Sequence, residues 1–210
     1  MLPLAPPRGQ RAADSATPGP PRHLTALLVA AGTIGLVAAV VLLVEKIALI
    51  ADPTYVPSCS INPVLSCGSV MNTPQADAFG FPNPIIGVAG FAILLTVGMG
   101  LAAGGRYRRW FWLGLQAGVT FGAGFVHWLI FQSLYRIEAL CPYCMVVWAV
   151  TIPVFWYTTL HNLSAAHLPA PRVLRRVLLE YHGVLLTGWY LVILTLIGAQ
   201  FWTYWQTLLP

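Results

Sequence analysis

Residues 24–50 read LTALLVAAGTIGLVAAVVLLVEKIALI, and only Glu45 and Lys46 among them carry a charge. A membrane-spanning helix needs about 20 consecutive apolar residues, and this run exceeds that length. It is also longer than the roughly 7–15 apolar residues of a signal peptide, and no clear cleavage site follows it. We therefore predict that it is the first of several membrane spans.

The rest of the chain is similarly apolar. Of its 210 residues, 58% are hydrophobic and 8% are charged, whereas about 25% charged residues are usual in soluble domains. So few charges cannot cover a protein surface in water, so lipid must be the main solvent of this chain. The composition predicts an all-α integral membrane protein with about five spans.

Hydropathy and composition divide the chain into a tail, five spans and their connections. The spans are predicted at about 24–50, 85–103, 110–134, 141–160 and 183–203. Residues 1–22 are rich in Pro, Ala, Gly and Arg and are predicted to be a disordered tail. Six prolines punctuate the loop 51–84, so we expect no continuous helix there, although residues 68–79 can form a short one. A basic connector is predicted at 161–182.

The arginines predict the orientation, because basic residues are enriched in cytoplasmic loops. With the N-terminus in the cytoplasm, nine of the eleven basic residues are cytoplasmic. Only Lys46 and Arg136 lie outside. The formal net charge of +5 then reflects topology, and we predict no nucleic-acid partner because no binding module accompanies the charge. The same orientation places the loop 51–84 and the start of the fourth span outside the cytoplasm.

The four cysteines form two pairs, and the predicted topology brings both to one face of the membrane. Cys59 and Cys67 lie in the loop 51–84, and Cys141-Pro142-Tyr143-Cys144 opens the fourth span. The outer compartment is oxidising and permits disulfides. If the pairs meet, they can pass two electrons by thiol–disulfide exchange.

The sequence at the start of the fourth span favours a reactive thiolate. Cys141 can cap the helix, and Pro142 suits its first position. Free N–H groups and the helix dipole at such a start lower the pKa of a thiol. Cys144 lies about 4–5 Å deeper along the helix, where a lipid-soluble electron acceptor can dock.

Two other interpretations of the cysteines stay open. Both pairs could be structural disulfides that staple a structural or transport protein. A zinc site is the other, but zinc-binding cysteine pairs usually have about two to four intervening residues, and seven separate Cys59 from Cys67. We therefore predict no metal.

The residues in this order resemble the vitamin K epoxide reductase family, most of all its bacterial members, over about residues 24–160. The matching set is Cys59, Cys67, Thr73, Asn83, Cys141 and Cys144. The unrelated DsbB proteins share the chemistry, but their Cys-x-x-Cys pair lies in the first outer loop, whereas here it comes second. The resemblance implies a four-helix catalytic core at 23–160 around a quinone. A fifth transmembrane helix and a short outer tail follow at 183–210.

The resemblance also implies an activity: a quinone-dependent thiol oxidoreductase of the bacterial inner membrane. Cys59 would form a mixed disulfide with a separate periplasmic thioredoxin-fold, DsbA-like protein. Cys67 would resolve that disulfide and pass electrons to Cys141. Cys144 would reduce a quinone of the menaquinone, ubiquinone or phylloquinone type. Reduction of a quinone epoxide by the same cysteines stays open.

Four further residues are predicted near the quinone. Asn83 matches a family asparagine that hydrogen-bonds a quinone carbonyl, and Thr73 matches a Ser/Thr position near the site. Trp148 stands where some relatives have Tyr, so the hydrogen bond of the phenol is in question. His127 is ionisable and lies within the third span, which makes it a candidate proton donor to the reduced quinone. The alternative is a neutral histidine that serves packing.

Two remaining features are interpreted as structural. Gly114, Gly118 and Gly122 repeat at four-residue spacing, which predicts close helix packing along the third span. Glu45 and Lys46 end the first span, and we interpret them as an interfacial anchor rather than an active-site pair.

Overall fold

The computed structural model describes residues 21–207, and this part of the chain consists of helices without a strand. Five helices are long and apolar enough to cross a membrane. They are α1 (Arg22–Ala51), α3 (Pro84–Ala102), α4 (Arg109–Gln132), α5 (Pro142–Ser164) and α7 (His182–Gln200). The short helices are α2 (Cys67–Met71), α6 (Arg172–Glu180) and α8 (Trp202–Gln206). The predicted all-α membrane class is confirmed.

Two boundaries differ from the sequence prediction. The fourth span continues beyond residue 160 to Ser164, and the connector that follows contains the helix α6. The predicted tail 1–22 lies outside the described residues except for Pro21 and Arg22, and α1 already begins at Arg22. The short helix predicted within residues 68–79 agrees more closely, because α2 is followed by a 3₁₀ turn at Pro74–Asp77. We call residues 67–77 the lid.

Helices α1, α3, α4 and α5 surround one apolar core. Its largest members include Leu28 of α1, Phe91 of α3 and Trp112 of α4. At the end away from the cysteines, Asn162 of α5 is fully buried and donates to Gln116 Oε1 at 3.0 Å. A buried amide needs such partners, so this bond joins α5 to α4 inside the apolar core.

Glycines bring α1 and α3 together. A Cβ at Gly32 would lie 2.7 Å from the backbone nitrogen of Leu95, and a Cβ at Gly98 would lie 2.8 Å from that of Val29. Both distances are too short for any side chain, and neither neighbour can turn aside because both are backbone atoms. Small residues therefore permit the close approach of these two helices.

Two of the three glycines predicted to serve this purpose on the third span do not do so. A Cβ at Gly114 or Gly118 would meet no atom within 4 Å among residues 21–207, and one at Gly122 would meet only Thr151, at 3.7 Å. The prediction is therefore wrong for Gly114 and Gly118, whereas Gly122 lies at an ordinary contact distance from α5. Four-residue spacing identifies small faces of helices, but it does not say which face another helix covers.

Helix α7 packs on the outside of the bundle. Tyr190 of α7 donates its hydroxyl to the carbonyl of Ala149 at 2.6 Å. That carbonyl lies four residues before Pro153, which interrupts α5 and has no N–H to donate. The fifth span thus supplies a hydrogen bond in place of the one that the proline removes. Lipid could not do so, because it offers no partner to a free backbone carbonyl.

Candidate redox site

A short backbone pairing aligns the two cysteine segments. Leu65 and Leu140 form a parallel bridge. Around it, Leu140 N donates to Val64 O at 2.7 Å, and Ser66 N donates to Leu140 O at 2.9 Å. The residues that follow are Cys67 and Cys141, so the bridge carries the loop cysteine directly to the start of α5.

The two cysteine pairs meet. The Sγ atoms of Cys67 and Cys141 lie 3.2 Å apart, and those of Cys59, Cys67 and Cys141 all lie within 4.8 Å of one another. Cys59 and Cys67 are joined by a disulfide, whereas Cys141 and Cys144 are free thiols. Cys67 and Cys141 are fully buried, and Cys59 is 5% exposed. A thiol of one pair therefore lies beside the disulfide of the other, shielded from water.

The start of α5 has the predicted geometry. Cys141 is the N-cap, its sulfur accepts from Cys144 N at 3.4 Å, and Pro142 occupies the first turn. The pKa of the Cys141 thiol is lowered, chiefly because the Cys144 thiol hydrogen-bonds to its sulfur. Backbone N–H groups of Cys144 and Tyr143 lower it further, against the opposing effect of burial. The thiolate is thus favoured on the sulfur that faces Cys67.

A cavity of about 60 Å³ lies beside Cys144, between the lid and the helix bundle. Thr73, Asn83 and Trp148, three of the residues predicted near a quinone, line it. Its remaining wall is mainly apolar. Two wall residues, Ser133 and Ile137, come from a π-helical turn that ends α4, and Glu138 closes that turn in the left-handed conformation with φ 56°. Such turns are frequent at functional sites.

Asn83 and Thr73 both form hydrogen bonds with the lid or with the segment next to it. Asn83 Nδ2 donates to Gln75 O at 2.7 Å, and Asn83 Oδ1 accepts from Ala78 N at 3.1 Å. Thr73 Oγ1 donates to Val70 O at 2.7 Å. An amide nitrogen carries two hydrogens, so Asn83 keeps one N–H for a ligand while it fixes the lid.

Trp148 has an unused hydrogen-bond donor. The side chain is 4% exposed, and its Nε1 is buried without a partner among the described residues. Leaving a buried donor unpaired costs about 1–3 kcal/mol. Because Trp148 lines the cavity beside Cys144, a ligand with an acceptor oxygen can satisfy this N–H.

His127 lies elsewhere. It is not part of the cavity wall, and it bonds to α7 through Trp189 Nε1, which donates to His127 Nε2 at 2.9 Å. An indole nitrogen can only donate, so Nε2 is the acceptor and Nδ1 carries the hydrogen that Ala123 O accepts at 2.7 Å. Both ring nitrogens are occupied, which favours the packing alternative. We therefore leave His127 out of the proposed quinone site.

The sequence model of the Vitamin K epoxide reductase family matches residues 26–159. This chain belongs to that family. The match includes the loop with Cys59 and Cys67, the lid, and nearly all of the four helices around the core. No curated protein matches the chain significantly. Membership in the vitamin K epoxide reductase family implies a membrane disulfide oxidoreductase, and enzymes of this family use quinones in general.

Glu45 and Lys46 do not lie where the sequence predicted. They do not face a membrane interface but are buried under the loop, with 7% and 8% of their surface exposed. Lys46 also lines the cavity beside Cys144. The sequence contained a signal for them, because ionisable residues at the end of a long uncharged span are functional candidates by default.

Proposed function

We propose that this protein reoxidises a separate periplasmic thioredoxin-fold protein of the DsbA-like class and passes the electrons to membrane quinone. The observation that carries the proposal is the 3.2 Å separation between Cys67 Sγ and Cys141 Sγ. Thiol–disulfide exchange needs an attacking sulfur within reach of a disulfide, and a purely structural pair of disulfides does not need this contact. The net result is disulfide formation outside the cytoplasm.

The electrons move in two thiol–disulfide exchanges, each of which takes two steps. A partner thiolate bonds to Cys59 and releases Cys67 as a thiolate, and the second partner thiol then frees Cys59 as the partner's own disulfide closes. Cys67 next bonds to Cys141 of an oxidised Cys141–Cys144 pair and releases Cys144 as a thiolate. Finally Cys59 bonds to Cys67 and frees Cys141. Two electrons and two protons have then passed from the partner to Cys141 and Cys144, and the cysteines are in the state described above.

A quinone bound beside Cys144 would accept two electrons and two protons, which restores the Cys141–Cys144 disulfide. The residues present suit such a ligand, because Trp148 Nε1 and the second N–H of Asn83 can donate to its carbonyl oxygens. A cavity of about 60 Å³ holds only a few water molecules. We therefore infer that the lid moves outward when the ring binds.

We place the redox site at the extracytoplasmic face of a bacterial inner membrane, with the N-terminus in the cytoplasm. The arginines support this orientation. Arg106, Arg108 and Arg109 lie in the α3–α4 connection or at its end, and Arg172, Arg175 and Arg176 lie in α6. Both groups are one helix length away from the cysteine loop, on the side where basic residues are retained.

Quinone consumption by the purified full-length protein tests the proposal. The protein is mixed with a reduced thioredoxin-fold partner and with menaquinone, ubiquinone or phylloquinone, and the quinone absorbance is followed. We expect Cys144→Ala to reduce turnover to the uncatalysed rate, because the last sulfur of the relay is gone. Glu180→Gln changes an exposed ion pair on α6 and should leave turnover unchanged. Turnover by Cys144→Ala at the parent rate would contradict the assigned route.

The order of the cysteines has its own test. A partner that keeps only its attacking cysteine should bond to Cys59 and release Cys67 as a thiolate. Because the partner thiol that would free Cys59 is absent, the mixed disulfide should persist and be visible on a non-reducing gel. A structural role for both pairs predicts no adduct and only a loss of stability under reductant.

Reduction of a quinone epoxide is the alternative reaction. The full-length protein with all four cysteines is assayed with a quinone epoxide and a dithiol. Consumption of the epoxide without consumption of quinone would assign this reaction.

A further inference from the structure

Glu45 and Lys46 are adjacent, oppositely charged and buried at the end of α1. A buried charge is costly unless it is paired and hydrogen-bonded. The hydrogen-bond partners of these two side chains therefore show which segments of the loop they fix in place. Adjacent residues of a helix point about 100° apart. The two side chains therefore reach different parts of the loop above them.

Glu45 holds the segment that leads into Cys59. Its carboxylate accepts from the Tyr55 hydroxyl at 2.9 Å, from the Ser58 hydroxyl, and from Ser58 N at 3.4 Å. Ser58 directly precedes Cys59. The carboxylate thus fixes the backbone next to one end of the disulfide.

Lys46 holds the segment that follows Cys67. Its Nζ donates to Met71 O at 2.7 Å, at the end of α2, and to Asp77 Oδ2 at 2.9 Å, at the end of the lid. The ammonium therefore fixes the lid, of which Cys67 is the first residue. Charge-assisted hydrogen bonds of this kind are roughly twice as strong as neutral ones.

We propose that Glu45 and Lys46 are positioning residues that hold the two sides of the Cys59–Cys67 disulfide so that Cys67 lies against Cys141. The proposal rests on the proposed function, since it gives the relay its geometry. Neither residue touches the reacting sulfurs. Both act through the backbone segments that carry them, together with the Leu65–Leu140 pairing and the hydrogen bond from Asn83 to the lid.

The same contacts control access to Cys59, which is 5% exposed. A partner thiolate must reach this nearly buried sulfur, and the Glu45 contacts oppose movement of the segment 55–58 that precedes it. Tyr55 is itself exposed, so a docking partner can displace its hydroxyl first. Loss of Glu45 should therefore make the disulfide easier to reduce from outside and make Cys67 slower to reach Cys141.

The test measures the Cys67–Cys141 geometry without quinone or partner. Cys59→Ser and Cys144→Ser together leave Cys67 and Cys141 as the only thiols. Disulfide formation between them under a mild oxidant is followed by the loss of maleimide labelling. Adding Glu45→Gln or Lys46→Met should slow this step by about five- to thirtyfold, which corresponds to a loss of 1–2 kcal/mol of positioning free energy.

Matched controls separate positioning from general destabilisation. Glu180→Gln and Arg176→Met make the same kinds of change in the exposed pair on α6, where Arg176 Nε lies 3.3 Å from Glu180 Oε2, and should leave the rate unchanged. Lys46→Arg can reach both oxygens and should restore most of the rate. Tyr55→Phe removes only the hydrogen bond between the Tyr55 hydroxyl and Glu45, so it should slow the step less than Glu45→Gln. It replaces Glu45→Gln in the test if that variant does not fold.

The proposal would be overturned if, in the background with Cys59→Ser and Cys144→Ser, adding Glu45→Gln or Lys46→Met left the crosslinking rate unchanged. Slowing by Glu180→Gln as large as that by Glu45→Gln would overturn it as well. Rapid crosslinking in the protein with Cys59→Ser and Cys144→Ser, together with no quinone consumption by the protein with all four cysteines, contradicts the proposed function instead. The two failures are therefore distinguishable.

Discussion

Trp148 departs from the tyrosine of some relatives and still offers a hydrogen-bond donor. Its indole replaces a phenol, which put this hydrogen bond in question. The indole Nε1 is buried and unpaired among the described residues, and Trp148 lines the cavity beside Cys144. An indole N–H donates but does not accept, so it suits the carbonyl oxygen of a quinone.

Removing this donor should weaken quinone binding. Trp148→Phe keeps an aromatic ring but lacks the N–H, and we expect the KM for quinone to rise about fivefold, since one hydrogen bond contributes about 1 kcal/mol. Trp148→Tyr should recover part of the loss because the phenol also donates. Trp110→Phe, at an exposed position, is the control. Steady-state quinone consumption gives these values, and an unchanged KM for Trp148→Phe would show that Nε1 does not bind the quinone.

At the scale of elements, helix packing depends on which glycines another helix covers. Gly32 on α1 and Gly98 on α3 face backbone atoms of the neighbouring helix, whereas Gly114 and Gly118 on α4 face none of the described residues. The regular spacing on α4 predicted the opposite. Spacing along one helix contains no information on the position of its neighbours.

Alanine substitutions should reproduce this difference. Gly32→Ala and Gly98→Ala each force α1 and α3 apart, and we expect each to lower the free energy of unfolding by about 1–3 kcal/mol, as is typical for overpacking. Gly114→Ala and Gly118→Ala meet open space and should cost nothing measurable. Unfolding in detergent, followed by circular dichroism, compares the four variants. Equal losses in both pairs would refute this packing.

At the scale of the whole molecule, the orientation determines whether the cysteines face an oxidising compartment. We expect a membrane-impermeant maleimide to label Ser69→Cys in intact cells, in a background without the four native cysteines, because Ser69 is exposed on the lid. Glu180→Cys on α6 is also exposed and should be labelled only after lysis. The reverse pattern would place the redox site in the cytoplasm.

Much of the fold and part of the site could be predicted from local sequence. The five spans follow from the free energy of transferring apolar runs into lipid, which depends only on consecutive residues. The cap formed by Cys141 and the position of Pro142 likewise involve neighbours along the chain. The surroundings of His127 could not be predicted in this way, because its partner Trp189 lies on α7, 62 positions away. The residue type shows that His127 is ionisable, but the partners of its ring depend on how α4 and α7 pack together.

The sequence by itself determined the membrane class, the spans, the predicted orientation and the placement of two cysteine pairs at one end of the helices. Only the tertiary structure decided that the pairs touch, since Cys67 and Cys141 are separated by 74 positions. It also decided that Glu45 and Lys46 lie beneath the loop rather than at the lipid surface. Hydropathy and charge act on each segment separately, whereas a contact between sulfurs requires that helices, loop and lid be packed together.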